Sequence, residues 1–268
     1  MNIMVGQSGG PTAVINASLA GIYRRSKEKN CKIYGALNGI EGLLQDTVVP
    51  LDISQRNVEL LIKTPSAALG SCRYKLLDSS VEKFQELREA FAKYDINAFL
   101  YIGGNDSMET VDKLSRHLAD TGITFIGVPK TIDNDLDVTD HCPGFGSAAK
   151  YLAENITQEL GCKTRAIELN IMQRCCAHLQ SEFDVREALE VGEYAVDVAM
   201  TGESGKMVAI KRISNFPYSS EFFTTPVINV AGKVKYFPKK WLTLNSVLPE
   251  AKYYFSPLIG NLPDYFRF

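Results

Sequence analysis

The chain has 268 residues, of which 45% are hydrophobic and 22% charged, and a formal net charge of −2. That is enough apolar content for a sizeable core in one large or two small domains, and no strong block of either sign supports a nucleic-acid partner. There is no apolar run that would span a bilayer, no leader at the N-terminus, no C-x-x-C pair among the six cysteines and no zinc-ligand spacing among the three histidines, so a cytoplasmic protein with reduced thiols is expected.

In chain order, short apolar runs alternate with amphipathic stretches, the pattern of βαβ units around a parallel sheet. Asn2–Val5 reads as a strand and Ala13–Lys27 as a helix. Between them lies Gly6-Gln7-Ser8-Gly9-Gly10-Pro11-Thr12, a glycine-rich turn whose backbone amides can approach an anion at a helix start. Lys32–Leu37 is a second strand, and Ser54–Lys63 and Val81–Lys93 are helical. Ala98–Ile102 reads as a buried strand, then Gly103-Gly104-Asn105-Asp106-Ser107 opens a helix that runs to Leu118. Asp106 or Ser107 serves there as an N-cap, or Asp106 offers an oxygen to Mg²⁺. Thr124–Val128 is the next strand, followed by Pro129-Lys130-Thr131-Ile132-Asp133-Asn134-Asp135. Two carboxylates, an amide, a hydroxyl and a lysine in one turn are more functional groups than a turn requires. Beyond Gly144 a helix near Ala148–Leu160, a strand Arg165–Leu169, a helix Val185–Met200 and a strand Met207–Lys211 are expected, and the aromatic-rich tail from Asn215 reads as irregular elements packed on the body. In a doubly wound sheet ligands bind at the carboxyl ends of strands, where all three polar loops fall. Together they predict a phosphate and metal site.

These residues resemble the phosphofructokinase family. Ser8 to Asn16 is similar to its first phosphate loop, Leu69-Gly70-Ser71-Cys72-Arg73 to the segment with its donor-phosphate arginine, and Gly103–Met108 and Gly127–Asp135 to its metal-binding and catalytic loops. Pro143-Gly144-Phe145-Gly146-Ser147 follows as in the family; Arg165 to Asn170 with Gln173-Arg174 resembles its sugar-phosphate segment, and Gly205-Lys206-Met207-Val208 its last core strand. The resemblance implies a three-layer αβα fold on a mainly parallel sheet, with residues 1–150 and 205–268 as the donor-binding domain and 151–204 as a remnant of a sugar-phosphate domain.

It also implies roles. Asp133 would take the proton from the 1-hydroxyl of fructose 6-phosphate, with Asp135 supporting metal and base and Arg73 steadying the transferred group. Gly9, Gly10, Gly104, Asp106, Ser107 and Lys130 would bind the donor; Asn105 and Asp106 would hold Mg²⁺. Thr131 and Ile132 would line the acceptor site with Asp133, and Arg165 and Arg174 would hold the 6-phosphate, partly across a subunit boundary, which implies a homodimer or homotetramer. In the family, small residues at positions 106 and 130 accompany ATP, and Asp with Lys accompanies pyrophosphate. This chain has Asp106 and Lys130, which favours pyrophosphate over an ATP-dependent 6-phosphofructokinase.

Two departures stand out. Asn105 occupies a position where many relatives have Asp, and a neutral amide is the poorer Mg²⁺ ligand. Relatives also carry roughly another domain's worth of chain, on the order of 100 residues, between the Gly144-Phe145-Gly146 loop and the Arg165 strand. It includes a Met-Gly-Arg motif that touches both substrates. Here Lys150 runs into Tyr151-Leu152-Ala153-Glu154, and no Met-Gly-Arg triplet occurs. Either the protein has lost that segment, or these residues are its two flanks brought together. A true deletion would favour donor binding over turnover, and leaves open a non-catalytic phosphate-binding subunit.

Overall fold

The structure, a computed structural model, describes residues 1–151, 174, 176–241 and 248–260. Seven strands form one mixed sheet in the order β3-β2-β1-β4-β5-β6-β7. They are β1 (Asn2–Gln7), β2 (Lys32–Ala36), β3 (Val48–Pro50), β4 (Ala98–Gly103), β5 (Thr124–Pro129), β6 (Lys206–Asn215) and β7 (Tyr218–Pro226). β2, β1, β4, β5 and β6 run parallel, and the two edge strands are antiparallel to their neighbours. The chain passes from β1 outward to β2, then returns to lay β4 on the other side of β1. That reversal opens a crevice at the carboxyl ends of β1 and β4.

The central strands β4 and β5 are buried at every position, as their unbroken apolar runs predict. Helices cover both faces, so the sandwich has three layers. On one face α1 (Ile15–Glu28), α3 (Gln55–Lys63) and a helix here numbered α6 (Glu182–Met200) pack over Ile3, Val5, Leu100, Ile126 and Val208. On the other, α2 (Gly39–Leu44), α4 (Val81–Lys93) and α5 (Asn105–His117) cover Met4, Phe99, Tyr101, Phe125 and Met207. There Phe91, Phe99 and Phe125 meet edge-on or tilted, with ring centroids 5.2 to 6.4 Å apart. Each such side chain contributes about 1.5–3 kcal/mol on burial.

α6 lies within residues 151–204, expected to be the remnant of a second domain, and it packs closely along α1. The two helices touch backbone to backbone at Gly21 and Gly192. A β-carbon on either would run into a carbonyl oxygen of the other helix, that of Leu189 or of Ser18. Arg25 closes the end of the pair on Asp197, with Nε 2.9 Å from Oδ1 and Nη2 2.6 Å from Oδ2.

The tail corrects one expectation. β7 forms a nine-residue strand paired along β6, and α7 (Pro249–Ile259) is a helix, where irregular elements were expected. β7 alternates half-buried and exposed residues at its start, the pattern of an edge strand, but its run of Ser, Phe and Thr lacks a clear apolar period. α7 places Pro249 in its first turn, where a missing N–H costs nothing, and Pro257 in its last. The short α2 and β3 were also not anticipated. The expected strand Arg165–Leu169 and most of the helix Ala148–Leu160 lie outside the described residues; residues 145–151 are helical.

Candidate active site

The three predicted loops converge at the carboxyl ends of β1, β4 and β5. A parallel bridge joins Ser8 to Cys72, which brings Arg73 beside the first loop. Gly9 has φ +74°, and its N–H donates to the Cys72 carbonyl at 3.0 Å. Gly10 lacks the β-carbon that would collide with the Arg174 guanidinium lying on it. Ser8, Gly9, Gly10, Arg73, Gly104, Asn105, Asp106, Ser107, Lys130, Thr131, Asp133, Asp135 and Arg174 line a single pocket of about 430 Å³. All six donor-side residues singled out from sequence are therefore neighbours. Arg174, assigned by sequence to the sugar phosphate, faces this pocket. Ile132 is buried beneath the loop, and Arg165 lies outside the described residues.

Lys130 forms part of the pocket wall and is only 3% exposed. Its Nζ donates to the Gly10 carbonyl at 2.7 Å. Burial, with the charges of Arg174 and Arg73 adding to it, pushes its pKa down to about 7. Asp133 and Asp135 oppose that shift in part, and a phosphate bound beside the ammonium would raise its pKa further.

Asp133 is exposed at the tip of its loop, and its N–H donates to Thr131 Oγ1 at 3.0 Å, which fixes the turn. Behind it, Asn105 Nδ2 donates to Asp135 Oδ2 at 3.2 Å. The Asn105 carbonyl oxygen Oδ1 and the second carboxylate oxygen of Asp135, Oδ1, are both buried without a hydrogen-bond partner. Two unsatisfied oxygens on hydrogen-bonded neighbours are costly unless something meets them, and a hard cation fits that need. Asp106 is exposed at the pocket mouth. Among the described residues no three His, Cys, Asp or Glu side chains converge as a metal site, so an ion here would draw further oxygens from a ligand.

A second, larger cavity of about 1030 Å³ is also lined by Asp133. Phe145, Phe237, Trp241, Tyr254 and Phe255 supply aromatic walls, and Lys211, Arg212, Lys235 and Lys240 supply cations. The tail thus does pack on the body, as expected, and also builds this wall. Trp241 packs against Tyr254 and Phe255 at centroid distances of 5.0 and 6.0 Å. Asp133 alone among the described lining residues belongs to both cavities. Sequence reasoning missed this wall, along with Tyr74, Glu109, Gly232 and Val234 on the donor side. The only available signal was the density of aromatics and lysines between residues 235 and 255.

Among the described residues no helix is long and apolar enough to cross a membrane. The chain is 29% identical to the pyrophosphate–fructose 6-phosphate 1-phosphotransferase of Halomonas elongata, over 96% of this chain and 91% of the relative. That alignment is 385 residues long, against a chain of 268, so well over a hundred of its positions have no counterpart here. A crystal structure of a pyrophosphate-dependent phosphofructokinase from Marinobacter aquaeolei superposes with a TM-score of 0.86 at 28% identity, covering 99% of this chain and 93% of that one. A sulfofructose kinase from Alkalicoccus urumqiensis is 40% identical over 58% of this chain and 40% of its own. The sequence model described as Phosphofructokinase matches residues 2–180, a span that contains all three loops and Asp133, and the chain belongs to the phosphofructokinase family.

Proposed function

We propose that the protein is a magnesium-dependent phosphotransferase that moves a phosphoryl group reversibly between pyrophosphate and the 1-hydroxyl of fructose 6-phosphate. The observation that carries the reading is the position of Asp133, alone among the described residues, in both the pocket that holds Lys130, Arg73 and Arg174 and the aromatic cavity. A donor in the first and an acceptor in the second would meet across its carboxylate. Phosphoryl transfer asks the protein chiefly for positioning, charge neutralisation and a proton acceptor. Asp133 takes the proton of the acceptor hydroxyl as its oxygen bonds to phosphorus and orthophosphate leaves. Lys130, Arg73 and Arg174 hold the donor, and Thr131 fixes the turn that presents Asp133. Magnesium, held by Asn105 and Asp135 with the donor's own oxygens, would neutralise charge on the phosphoryl group.

The donor is read from Lys130 and Asp106. A buried lysine suits a compact polyanion that restores its charge, and an exposed carboxylate at the mouth repels the additional phosphate of a nucleotide. The pyrophosphate-dependent names of relatives matched over nearly the whole chain support the same choice. The large cavity would receive the acceptor, since its cations suit an anionic sugar, and the partial likeness to a sulfofructose kinase is the reason to assay a sulfonated sugar as well.

The test is a coupled assay of the full chain with each donor against fructose 6-phosphate and sulfofructose. Turnover with pyrophosphate and little with ATP is expected. Lys130→Gly with unchanged pyrophosphate use would refute the donor assignment. Pyrophosphate binding by calorimetry without turnover on any acceptor would instead favour a phosphate-binding subunit.

A further inference from the structure

The loop carrying Asp133 and Asp135 is strained. Val138 has φ +69°, a left-handed conformation that a β-branched residue adopts only under constraint. Asn134, with φ +52°, shares that region more easily. The constraint is visible on both sides. Thr131 bridges to Gly144, so the loop closes on itself. The Ile210 N–H of β6 donates to Thr139 Oγ1 at 2.9 Å, and the Asp140 N–H donates to the Ile210 carbonyl at 2.8 Å.

Directly after this stitching comes His141, 1% exposed. Its Nδ1 lies 2.8 Å from Asp140 Oδ1 and its Nε2 2.6 Å from Glu187 Oε2 on α6. Glu187, also 1% exposed, accepts from the Tyr218 hydroxyl at 2.7 Å and from the Ser220 hydroxyl. Asp140 accepts from Arg212 Nε at 3.0 Å and from the Tyr254 hydroxyl at 3.2 Å, while Lys235 Nζ donates to the Thr139 and Asp140 carbonyls. One turn earlier on α6, Asp184 accepts from the Gly144 and Ser147 N–H groups, each at 2.8 Å. Burial opposes a charged imidazole, but Glu187 and Asp140 outweigh it and push the His141 pKa up to about 9. The same pairing holds Glu187 below the usual carboxylate range against its own burial.

A buried charged triad contributes little net stability compared with well-packed apolar side chains, so stability alone gives no reason for it. His141 and Glu187 line neither cavity. What they join is the end of the strained loop and the helix that α1 locks in place. We infer that His141, clamped between Asp140 and Glu187, is a positioning residue that holds the strained loop in the register from which Asp133 reaches both cavities. The inference rests on the reading of Asp133 as the base. Its alkaline limit follows from the triad, because loss of the imidazole proton leaves the buried Glu187 carboxylate with the Tyr218 and Ser220 hydroxyls but without the cation that balances it.

The test compares wild type, His141→Gln and Glu187→Gln as full chains, by steady-state kinetics from pH 6 to 10 and by hydrogen exchange of the amides of residues 133–139. His141→Gln should lower kcat about tenfold or more with the KM for pyrophosphate within about threefold, the split expected of an effect on the reacting group rather than on donor binding. Exchange in the loop should rise about tenfold or more while α1 stays protected. Wild-type kcat should fall as pH rises through about 9, and His141→Gln should lack that limb. Glu187→Gln should move the limb to lower pH by about one unit or more, since one of the two carboxylates is gone. A folded His141→Gln with wild-type kcat, loop exchange and alkaline limb overturns the inference. If that variant does not fold, a limb left in place by Glu187→Gln overturns it. If wild type shows no turnover with pyrophosphate, the functional reading fails by itself, and the pH dependence of loop exchange decides the clamp on the same criteria.

Discussion

The two walls that meet at Asp133 are built in opposite ways. The proposed donor wall combines glycine turns at the ends of β1 and β4 with polar and charged side chains, Lys130 held by the Gly10 carbonyl among them, most of them from loops that follow a strand directly. The acceptor wall is mostly side chain: aromatic rings and lysines from β6, the stretch 235–241 and α7. A phosphate ligand is small and always the same, so a fixed cradle of amides at helix starts serves it. An acceptor must be shaped and oriented, which takes apolar surface with a few convergent polar groups. On the proposed reading, the glycine-lined wall serves one unchanging anion and the aromatic wall sets acceptor specificity.

Substitutions separate the walls in order of effect. Asp133→Ser removes the residue they share, and kcat should fall about 10²–10⁴-fold, the usual contribution of a general base. Calorimetric binding of pyrophosphate should change little, and a comparable loss of binding would break the division. Lys130→Met should act on the donor wall alone, raising the pyrophosphate Kd about 10–100-fold, as expected for a lost charge-assisted bond. Its protonation supplies a second reading. Because burial and Arg174 and Arg73 hold the free enzyme's Lys130 near pH 7, a bound anion must raise that pKa. Binding at pH 8 should take up protons and binding at pH 6 far fewer, and Lys130→Met should abolish the uptake. Calorimetry in buffers of different ionisation enthalpy measures it.

The same contrast explains what could be read from sequence. Each donor loop is contiguous, so strand, glycines and functional groups appear in one run, and Gly9, Asp106, Lys130 and Asp133 could be picked out before any fold was known. The acceptor wall joins Asp133 to Trp241 and Tyr254, more than a hundred residues away, and no spacing rule announces that. The helical tail was missed because its richness in Pro, Tyr and Phe read as irregular, although Pro249 sits in the first turn of α7 and Pro257 in the last. The His141 clamp was missed for a related reason. Its partner Glu187 is 46 residues away, and the only trace in sequence is a pair of acids, Asp184 and Glu187, on the otherwise apolar buried face of α6. The parallel core strands were legible because burial on both faces leaves unbroken apolar runs. α2 and β3 were too short to show a period.

Glu187 and Asp140 also tie the fold's stability to pH. The His141 pKa of about 9 lies above the roughly 6.5 of a free imidazole. The folded state therefore holds its proton more tightly, and the triad's contribution is complete below pH 6.5 and is lost as pH rises through 9. Thermal unfolding should shift down between pH 7 and 10, and His141→Gln should flatten that part of the profile. A variant with the wild-type slope would assign the alkaline instability to another group.

On the acceptor wall, Trp241→Ala should raise the acceptor KM about two- to tenfold, the range of aromatic contact energies, and leave the pyrophosphate KM unchanged. The smallest effect is expected at Lys211, an exposed lysine on β6 that lines the same cavity. An exposed charge is worth about 0–1 kcal/mol and is screened by salt, so Lys211→Gln should raise the acceptor KM no more than about fivefold at low ionic strength. At about 0.5 M salt the difference from wild type should vanish. The value of this variant lies in that salt dependence. Burial shields the Lys130 effect from salt, while the Lys211 effect lies open to it. Acceptor KM values that respond equally to salt in both proteins would show that Lys211 does not meet the acceptor's anionic group, and would leave that role to Arg212, Lys235 or Lys240.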